Sequence, residues 1–355
     1  MASLAAGAHA APPHVPLSVA TRGDAIDGVH YGSVAVVDRA GRLLFAAGDP
    51  NYLTMTRSAL KPLQAIPLVA SGGVERFGFS TAQVALLCAS HSGEPRHVSA
   101  VADMLAKSGS SVDELQCGSH APGYYDVRGE IPPPPPWSPL AHNCSGKHSG
   151  MLAWCVMCGA PKGTYLDFDH PLQRAVRESV SHFTGVAEAA LVAGIDGCSA
   201  PNYAVPLAAL ATAFARLAGA SDGSDDSKFG RAAKVLGEAM TAEPAMVSGE
   251  GRNDLALMRA GRGDWVTKIG AEGVQAVGIR SRGWGVAVKV ADGAKRGLHP
   301  ATVAVLDQLG LLDDAQRAEL AGWREPVVRN YRGIATGRVR PLVEIRPAGA
   351  AAATG

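Results

Sequence analysis

Runs of Val, Ile and Leu separated by glycine-containing turns occur near both ends of the chain and predict two β-rich regions. Residues 32–47 form two such runs around a turn that contains Gly41, which predicts a hairpin. In the second region, three short runs predict a three-stranded meander at 264–270, 274–280 and 284–292. We therefore expect strands from both ends of the chain.

Between the two β-rich regions, apolar residues recur at helical spacing. Ser80 is suited to cap a helix that starts at the next residue and runs to Cys88. Further helices are predicted at 95–107, 147–158, 171–183, 205–217 and 228–241. A last helix, at 300–309, is expected to cover one face of the sheet.

The simplest architecture for this order of elements is an α+β fold. Strands from both chain ends would form one antiparallel sheet flanked by helices, with a mostly helical domain inserted between them. The sheet-containing part is predicted to comprise 16–55 and 262–343, and the insert 56–261. Residues 1–15 and 344–355 are predicted to be loosely ordered tails, because they offer little apolar patterning.

The charge balance excludes several classes of function. The 355 residues include 33 Lys and Arg against 32 Asp and Glu, so the net charge is +1 and no global field favours nucleic acid or an anionic membrane. No run of roughly 18 or more consecutive apolar residues occurs, which argues against a membrane span. Composition therefore favours an enzyme that acts on a small molecule.

The six cysteines are an even number and leave disulfide pairing open. The segment MASLAAGAHAAPPH lacks the basic and apolar regions of a secretory signal, so we expect a reducing, cytoplasmic compartment with free or metal-bound thiols. Cys155 and Cys158 have the spacing of a redox pair but lie within an apolar helical run, so we expect core residues.

Ser58 and Lys61 form a Ser-x-x-Lys motif. If a helix starts at this motif, residues three apart lie on one face, so the Lys61 amine can reach the Ser58 hydroxyl. Pro62 is tolerated only in the first turn of a helix, which supports a helix that starts just before it. A neutral lysine can accept the serine proton and so turn the hydroxyl into a nucleophile.

Two further motifs follow in the chain. Ser90-His91-Ser92 comes directly after an apolar helix, and Lys268-Ile269-Gly270 lies in an apolar strand, where an inward-facing lysine is costly unless it is paired or functional. The simpler alternatives are a polar turn and a solvent-facing lysine. In order, the three motifs resemble the S-x-x-K, S-D-N and K-T-G triplet of serine β-lactamases and penicillin-binding proteins. His91-Ser92 and Ile269 depart from that triplet, so a plain β-lactamase fits poorly.

Cys144 and Cys198 lie in glycine-rich polar segments. Thiolates are soft metal ligands, and Lys147 follows Cys144 by three residues. The segments contain no paired Cys-x-x-Cys motifs, so two isolated buried thiols are the alternative to a metal site.

Five segments together resemble the Rhizobium etli-type L-asparaginases, a class distinct from the bacterial type I and type II enzymes and from the Ntn-hydrolase asparaginases. The segments are RSALKPLQA (57–65), CASHSGEPRH (88–97), HNCSGKHSGM (142–151), GIDGCSAPNYAVPL (194–207) and GEGRNDLALM (249–258). The resemblance extends over roughly residues 16 to 343.

The resemblance implies hydrolysis of L-asparagine to L-aspartate and ammonia by a homodimer whose subunits have a serine β-lactamase-like fold. It pairs Ser58 with Lys61 and Ser90 with Lys268 as two catalytic tandems. We expect Ser58 to attack the amide and Lys61 to accept its proton, while Ser90 and Lys268 relay a proton to the departing ammonia. The roles of the two tandems could be exchanged.

The resemblance also implies a Zn²⁺ site in which the amine of Lys147 joins the thiolates of Cys144 and Cys198. Asp196 matches an acidic residue beside that site. We expect the metal to orient the substrate, because a serine–lysine system already supplies the nucleophile.

Further residues are candidates for binding the substrate. Arg252 and Asp254 are expected to bind the α-carboxylate and the α-ammonium group, with a surface salt bridge or a helix cap as the alternative. His91 is predicted to contact the substrate or to act as a hydrogen-bond partner behind the site. Arg57 and Asp196 complete the predicted substrate contacts, and Arg57 would also help to keep Lys61 neutral.

Two alternative functions stay open at this point. The first is a related serine amidohydrolase that acts on glutamine or on a cyclic amide such as a β-lactam, because the sequence does not reveal the length of the pocket. The second is a non-catalytic amino-acid-binding or metal-binding regulator on the same scaffold. The presence of both Ser-Lys pairs argues against the regulator.

Overall fold

The computed structural model describes residues 13–349 and has a mixed α/β fold. The strands of this part of the chain are β1 (Val15–Arg22), β2 (Ala25–Asp38), β3 (Leu43–Ala47), β4 (Leu53–Met55), β5 (Val192–Ile195), β6 (Pro201–Pro206), β7 (Trp265–Gly270), β8 (Val274–Ile279), β9 (Trp284–Val290), β10 (Val327–Arg329), β11 (Ala335–Pro341) and β12 (Arg346–Pro347). The predicted hairpin and the predicted meander are both confirmed.

The helices of the same part of the chain are α1 (Lys61–Ala70), α2 (Gly73–Phe77), α3 (Thr81–Leu87), α4 (Pro95–Lys107), α5 (Tyr124–Arg128), α6 (Ser145–Cys158), α7 (Pro171–Thr184), α8 (Leu207–Gly219), α9 (Lys228–Ala242), α10 (Pro244–Val247), α11 (Asn253–Ala260), α12 (Lys295–Gln308), α13 (Asp314–Glu319) and α14 (Ala321–Arg324). Ser80 caps α3 as predicted, because its hydroxyl accepts a hydrogen bond from the backbone N–H of Gln83. None of these helices is long and apolar enough to cross a membrane.

Strands from both ends of the chain form one large antiparallel sheet, as the sequence predicts. The strand order is β10-β11-β1-β2-β9-β8-β7, and β3 extends it by pairing with β2 and β12. β7 therefore lies at an edge of the sheet. A second, smaller sheet has the order β4-β6-β5.

The two faces of the large sheet are both covered by helices. Val34 and Val36 of β2 belong to one hydrophobic cluster, whereas Ala35 and Val37 belong to another, because successive side chains of a strand point to opposite faces. α12 packs on the first face and α8 on the second. The second cluster continues without a break into the helices between 56 and 261, so the sheet and the predicted insert share one core.

The small sheet, which the sequence did not predict, positions two loops of the candidate site. β4 leads into the turn at 57–60, and β5 and β6 flank the loop at 196–200. The predicted helix 205–217 begins two residues later than expected, at Leu207, because Val205 pairs with Thr54 in this sheet. The predicted helix 300–309 begins earlier, at Lys295, and contains Pro300.

The predicted tails are partly wrong. Val15 begins β1, and Arg346 and Pro347 pair with β3, so the chain is in regular structure where loosely ordered ends were expected. Residues 1–12 and 350–355 lie outside the described part, and the prediction is not tested there.

Close approach of α8 to the sheet depends on glycine in β9. A Cβ atom at Gly285 would lie 1.8 Å from the carbonyl oxygen of Ala211, in the middle of α8. We therefore expect Gly285→Ala to lower the free energy of unfolding by about 1–3 kcal/mol, because the helix must move off the sheet. Urea denaturation followed by circular dichroism measures this loss.

Gly322→Ala in α14 is the matched control, since a Cβ atom at this position would have no neighbour within 4 Å. It should leave the stability unchanged or raise it slightly. Equal stabilities of the two variants would contradict the proposed packing.

Candidate active site

Three distant segments place the hydroxyl of Ser90 between two lysine amines. Lys61 begins α1, Ser90 lies just after α3, and Lys268 lies in β7. The Ser90 Oγ atom is 2.9 Å from the Nζ atom of Lys61 and 2.9 Å from that of Lys268. All three residues are buried. The hydroxyl can accept a hydrogen bond from one amine while it donates to the other, so it links the two lysines.

The amine of Lys61 forms no hydrogen bond with Ser58, contrary to the contact that the Ser-x-x-Lys spacing predicts. It donates instead to Ser90 and to the backbone carbonyls of Ala89 and Asn143, at 3.1 Å for Asn143. An ammonium group has three donors, and burial makes each unsatisfied donor costly. The amine is therefore held by acceptors from two other segments of the chain.

Ser58 lies in the one-turn 3₁₀ helix Arg57–Leu60 and is partly exposed. Arg57 has a φ of 49°, in the left-handed region that non-glycine residues rarely adopt. The side chain of Asn202 holds this conformation, because it accepts from the Arg57 N–H at 2.9 Å and donates to the Arg57 carbonyl at 2.9 Å. The Ser58 hydroxyl has no hydrogen-bond partner among the described residues, so it is free to face a ligand.

Gly270 brings the edge strand β7 against the turn that carries Ser58. A Cβ atom at Gly270 would lie 2.7 Å from the carbonyl oxygen of Thr56. The close approach places Lys268, two residues earlier in β7, on the same side of the molecule as Ser58. Only glycine allows this distance between the strand and the turn.

Asp254 supports Lys268 and does not face a pocket. Its carboxylate is fully buried and accepts from the Ile269 N–H at 2.9 Å, from Gln275 at 3.0 Å and from Thr267 at 3.2 Å, and it lies 3.4 Å from the Lys268 amine. The carboxylate oxygens are already occupied, so a substrate ammonium group would have to displace one of these donors, and the predicted contact stays a prediction.

Burial controls the proton affinity of Lys268. The pKa of its amine is lowered to about 8: desolvation is the main cause, the carboxylate of Asp254 opposes it, and the charge of Lys61 adds to it. Although burial opposes it, the charge of Lys268 and hydrogen bonds from Ile269, Gln275 and Thr267 keep the pKa of Asp254 below its usual value. Lys268 is thus an amine that can gain or lose a proton near neutral pH.

His91 is a structural residue of the Ser90 loop. Its Nδ1 atom accepts from the Gly93 N–H at 3.1 Å, and its Nε2 atom lies 2.9 Å from the Ser145 hydroxyl. Burial and the neighbouring His97 hold its pKa well below the usual value, so the ring is neutral. Both nitrogens are occupied, which favours the alternative of a hydrogen-bond partner behind the site, and a direct substrate contact stays a prediction.

The three predicted metal ligands converge in one buried cluster. Cys144 precedes α6, Lys147 lies in the first turn of this helix, and Cys198 follows β5. The Lys147 amine is 3.0 Å from the Cys198 sulfur. In residues 13–349, no three His, Cys, Asp or Glu side chains form a metal-binding group, so a metal here needs a donor of another type, which Lys147 is placed to supply.

Charges around this cluster stabilise the thiolates. Contact with Cys198 and the amines of Lys61 and Lys147 hold the pKa of Cys144 well below its usual value, although burial opposes them. Burial lowers the pKa of Lys147, but the two thiolates outweigh it and raise that pKa overall.

Arg57 and Asp196 form an ion pair at the border of the cluster. The Arg57 Nε atom donates to the Asp196 carboxylate at 2.8 Å, and the Asp196 side chain is only 9% exposed. Burial opposes ionisation, but the hydrogen bonds from Arg57 and the Gly197 N–H, together with the Lys147 charge, keep the pKa of Asp196 low. Arg252 lies apart from this pair and lines a separate cleft with Ile269.

Sequence reasoning missed the residues that position this site. Asn202 holds the strained backbone of Arg57, and Gln275 and Thr267 hold the carboxylate of Asp254. The signal for Asn202 and Gln275 was present, because each is a polar residue inside an otherwise apolar strand. Such residues are buried only when they are hydrogen-bonded.

A serine hydroxyl between two buried amines is suited to proton transfer, and a second serine lies at a helix start nearby, so the site defines a candidate serine-dependent hydrolase. The chain belongs to the L-asparaginase II family, whose model matches residues 19–341.

No curated protein matches this chain. Among solved structures, the crystal structure of Mglu in its native form is similar, with 16% identity and a TM-score of 0.44 over 80% of this chain and 65% of that one. The structure of Mglu in its glutamate form has 17% identity and a TM-score of 0.36 over 79% of this chain and 61% of that one. The chain thus spans less than two thirds of the length of these proteins.

Lys268 should titrate near pH 8 in the folded protein, compared with 10.5 for an ordinary lysine. Asp254→Asn should move this titration to lower pH, because the carboxylate favours the protonated amine. NMR of protein with ¹³C-labelled lysine measures both values, and the variant Lys268→Met identifies the signal. A titration at pH 10 or above would show that the amine is not desolvated as described.

Proposed function

We propose that this protein is an L-asparagine amidohydrolase of the Rhizobium etli type, which converts L-asparagine to L-aspartate and ammonia. The observation that carries the proposal is the Ser90 hydroxyl at 2.9 Å from both lysine amines, with Ser58 at the neighbouring helix start. The five sequence segments that resemble this class contain all of these residues except Lys268. A serine β-lactamase-like fold, a homodimer and a cytoplasmic location belong to the same proposal.

In the proposed acylation step, the Ser58 oxygen attacks the side-chain amide carbon. Its proton passes to Lys61 when that amine is neutral, which requires the lysine to turn from its present acceptors towards Ser58. The C–N bond then breaks as the departing nitrogen takes up a proton, leaving a β-aspartyl ester on Ser58. Water cleaves this ester, releases aspartate and restores the serine.

The row Lys61, Ser90 and Lys268 supplies the proton path in this mechanism. Because Ser90 contacts both amines, a proton that Lys61 takes from Ser58 can pass through this hydroxyl to a neutral Lys268. A pKa of about 8 for Lys268 gives both of its protonation states near neutral pH. The close positive charges also disfavour simultaneous protonation of the two lysines.

Backbone N–H groups of the turn at 57–60 are candidates to stabilise the negative oxygen of the intermediate. The Arg57 N–H donates to Asn202 and the Ala59 N–H to the Thr56 carbonyl, so the Ser58 N–H is the remaining candidate among these three.

An ammonia-release assay with L-asparagine and L-glutamine in parallel tests the proposed activity. Asparagine should be the better substrate, since one additional methylene changes the reach of the amide by more than the site tolerates. A faster reaction with glutamine would replace the proposed substrate, and no ammonia from either amide would favour a binding protein.

Ser58→Ala should reduce kcat by about a thousandfold or more, because no nucleophile remains. Ser90→Ala should reduce kcat too but still allow acylation of Ser58, since it interrupts only the proton path. Mass spectrometry of protein quenched during turnover locates the ester. The matched control Ser110→Ala, at a residue remote from Ser90 in the loop after α4, should retain activity.

An ester on Ser90, or near-normal turnover of Ser58→Ala, would exchange the roles of the two serines. Both results are compatible with an amidohydrolase, so they test the assignment and not the class of reaction.

We propose Zn²⁺ as the metal of the thiol cluster. The buried donor set of two thiols and an amine fits a soft, tetrahedral ion, and Cys144, Lys147 and Cys198 would hold it. When bound, the metal supplies a fixed positive charge that orients the substrate. Asp196, next to the cluster, would anchor Arg57 at the border between metal and substrate.

Purified protein should contain about one zinc ion per chain by elemental analysis, and Cys198→Ser should lose it. Cys158→Ser is the matched control, because Cys158 is an exposed thiol at the far end of α6. Removal of zinc should raise KM more than it lowers kcat. A larger effect on kcat would place the metal in the chemical step, and equal zinc contents of the two variants would contradict the site.

A further inference from the structure

A cleft of about 260 Å³ lies beside the Lys268 end of the proposed catalytic centre. The carbonyl of Ile269, which accepts a hydrogen bond from the Lys268 amine at 2.9 Å, belongs to a residue that also lines this cleft. On its other side, Gly123 lines the cleft, and the N–H of the next residue, Tyr124, binds the carbonyl of Ser92. The cleft is therefore built on the same loops that hold Ser90 and Lys268.

Two cations in the cleft lack partners. The side chains of Arg252 and Lys295 line it, and neither forms an ion pair or hydrogen bond with any residue of the described chain. Arg259, which lies in α11, forms an ion pair with Glu250 instead. Burial and the charge of Arg252 lower the pKa of Lys295, whereas the carboxylate of Asp126 raises it, so charges of both signs lie close to this amine.

The backbone adds to the positive potential. α11 begins at Asn253 and α12 begins at Lys295, so the positive ends of two helix dipoles meet at the cleft. α12 has no acidic residue in its first turn, and the carboxylate of Asp254 in α11 is committed to Lys268. Two cations and two helix starts together favour an anion such as a carboxylate.

The cleft also contains a negative and a neutral polar group. Asp126 lines it without an ion pair to any described residue. Burial lowers the pKa of His299 to about 4, so its ring is neutral at pH 7 and can exchange a hydrogen bond with a ligand. The ring of Trp323 packs against His299 and closes this side. The charges thus complement a zwitterion with its anionic part at Arg252 and Lys295.

We propose that this cleft binds the charged end of an α-amino acid, with Arg252 and Lys295 holding its carboxylate and Asp126 its ammonium group. The proposal rests on the proposed function, because it assigns the end of the amide substrate that does not react. It extends the predicted role of Arg252 to Lys295, Asp126 and His299, which the sequence motifs do not contain. Asp126 takes the ammonium contact that had been expected of Asp254.

Three amides separate these contacts: L-asparagine, succinamic acid, which lacks the amine, and β-alaninamide, which lacks the carboxylate. Arg252→Gln and Lys295→Gln should each raise KM by about tenfold or more for asparagine and succinamic acid, because each removes a charged hydrogen bond. KM for β-alaninamide should not change. Asp126→Asn should show the opposite selectivity and raise KM for asparagine and β-alaninamide but not for succinamic acid.

The matched control is Arg259→Gln, which removes an exposed arginine outside the cleft and should change none of these values. In the three cleft variants kcat should stay within about threefold, since the reacting groups are untouched. An equal rise of KM for all three amides would indicate general damage and would overturn the proposal.

Calorimetric titration with L-aspartate tests the cleft without turnover. Wild-type protein should bind it, and the double variant Arg252→Gln/Lys295→Gln should lose binding. If neither asparagine nor glutamine releases ammonia while this difference in binding persists, the proposed function fails and the amino-acid cleft stands. Equal binding by the double variant, no binding by the wild type, or lost binding with an unchanged KM for asparagine would overturn the proposal.

Discussion

Burial of two lysine amines around one serine hydroxyl is the constraint on which the site depends. Lys61 and Lys268 are both fully buried. Among the described residues, only one carboxylate, that of Asp254, forms an ion pair with either amine, and its partner is Lys268. Since a buried charge without partners is costly, every remaining donor must find an acceptor. Lys61 finds two backbone carbonyls, and Lys268 finds the carbonyl of Ile269. The loops after α3 and before α6 therefore have fixed positions relative to β7.

The sheet meets this constraint by joining distant parts of the chain. β7 is held at the edge by β8 and β9, and β9 in turn pairs with β2 near the start of the chain. The turn with Ser58 reaches the same edge through the small sheet, where β4 pairs with β6. Gly270 permits the contact between β7 of the large sheet and the turn that follows β4 of the small sheet. A shift of either sheet would separate the two serines, so the core and the site are mechanically coupled.

Local rules made much of the fold predictable from the sequence, whereas the partners in the site depend on tertiary contacts. Ser80 and Pro95 marked helix starts correctly, and alternation of small apolar residues marked β2 and the meander. The partner of Lys61 could not be predicted, because Ser-x-x-Lys spacing describes one helical face while the amine follows acceptors supplied by Ala89 and Asn143. The strands β5 and β6 were missed since they are short and belong to a small separate sheet, in which β6 pairs with both β5 and β4.

The near-neutral chain conceals a local excess of positive charge. Asp196 is paired with Arg57 and Asp254 with Lys268, so neither acid is free to neutralise the other cations. Lys61 is left with neutral acceptors, and Arg252 has no acidic partner within the described residues. A carboxylate-bearing amide would supply the missing negative charge. Its carbonyl oxygen would gain further negative charge as the bond to serine forms. Charge complementarity at this site therefore requires no field from the protein as a whole, which agrees with a net charge of +1.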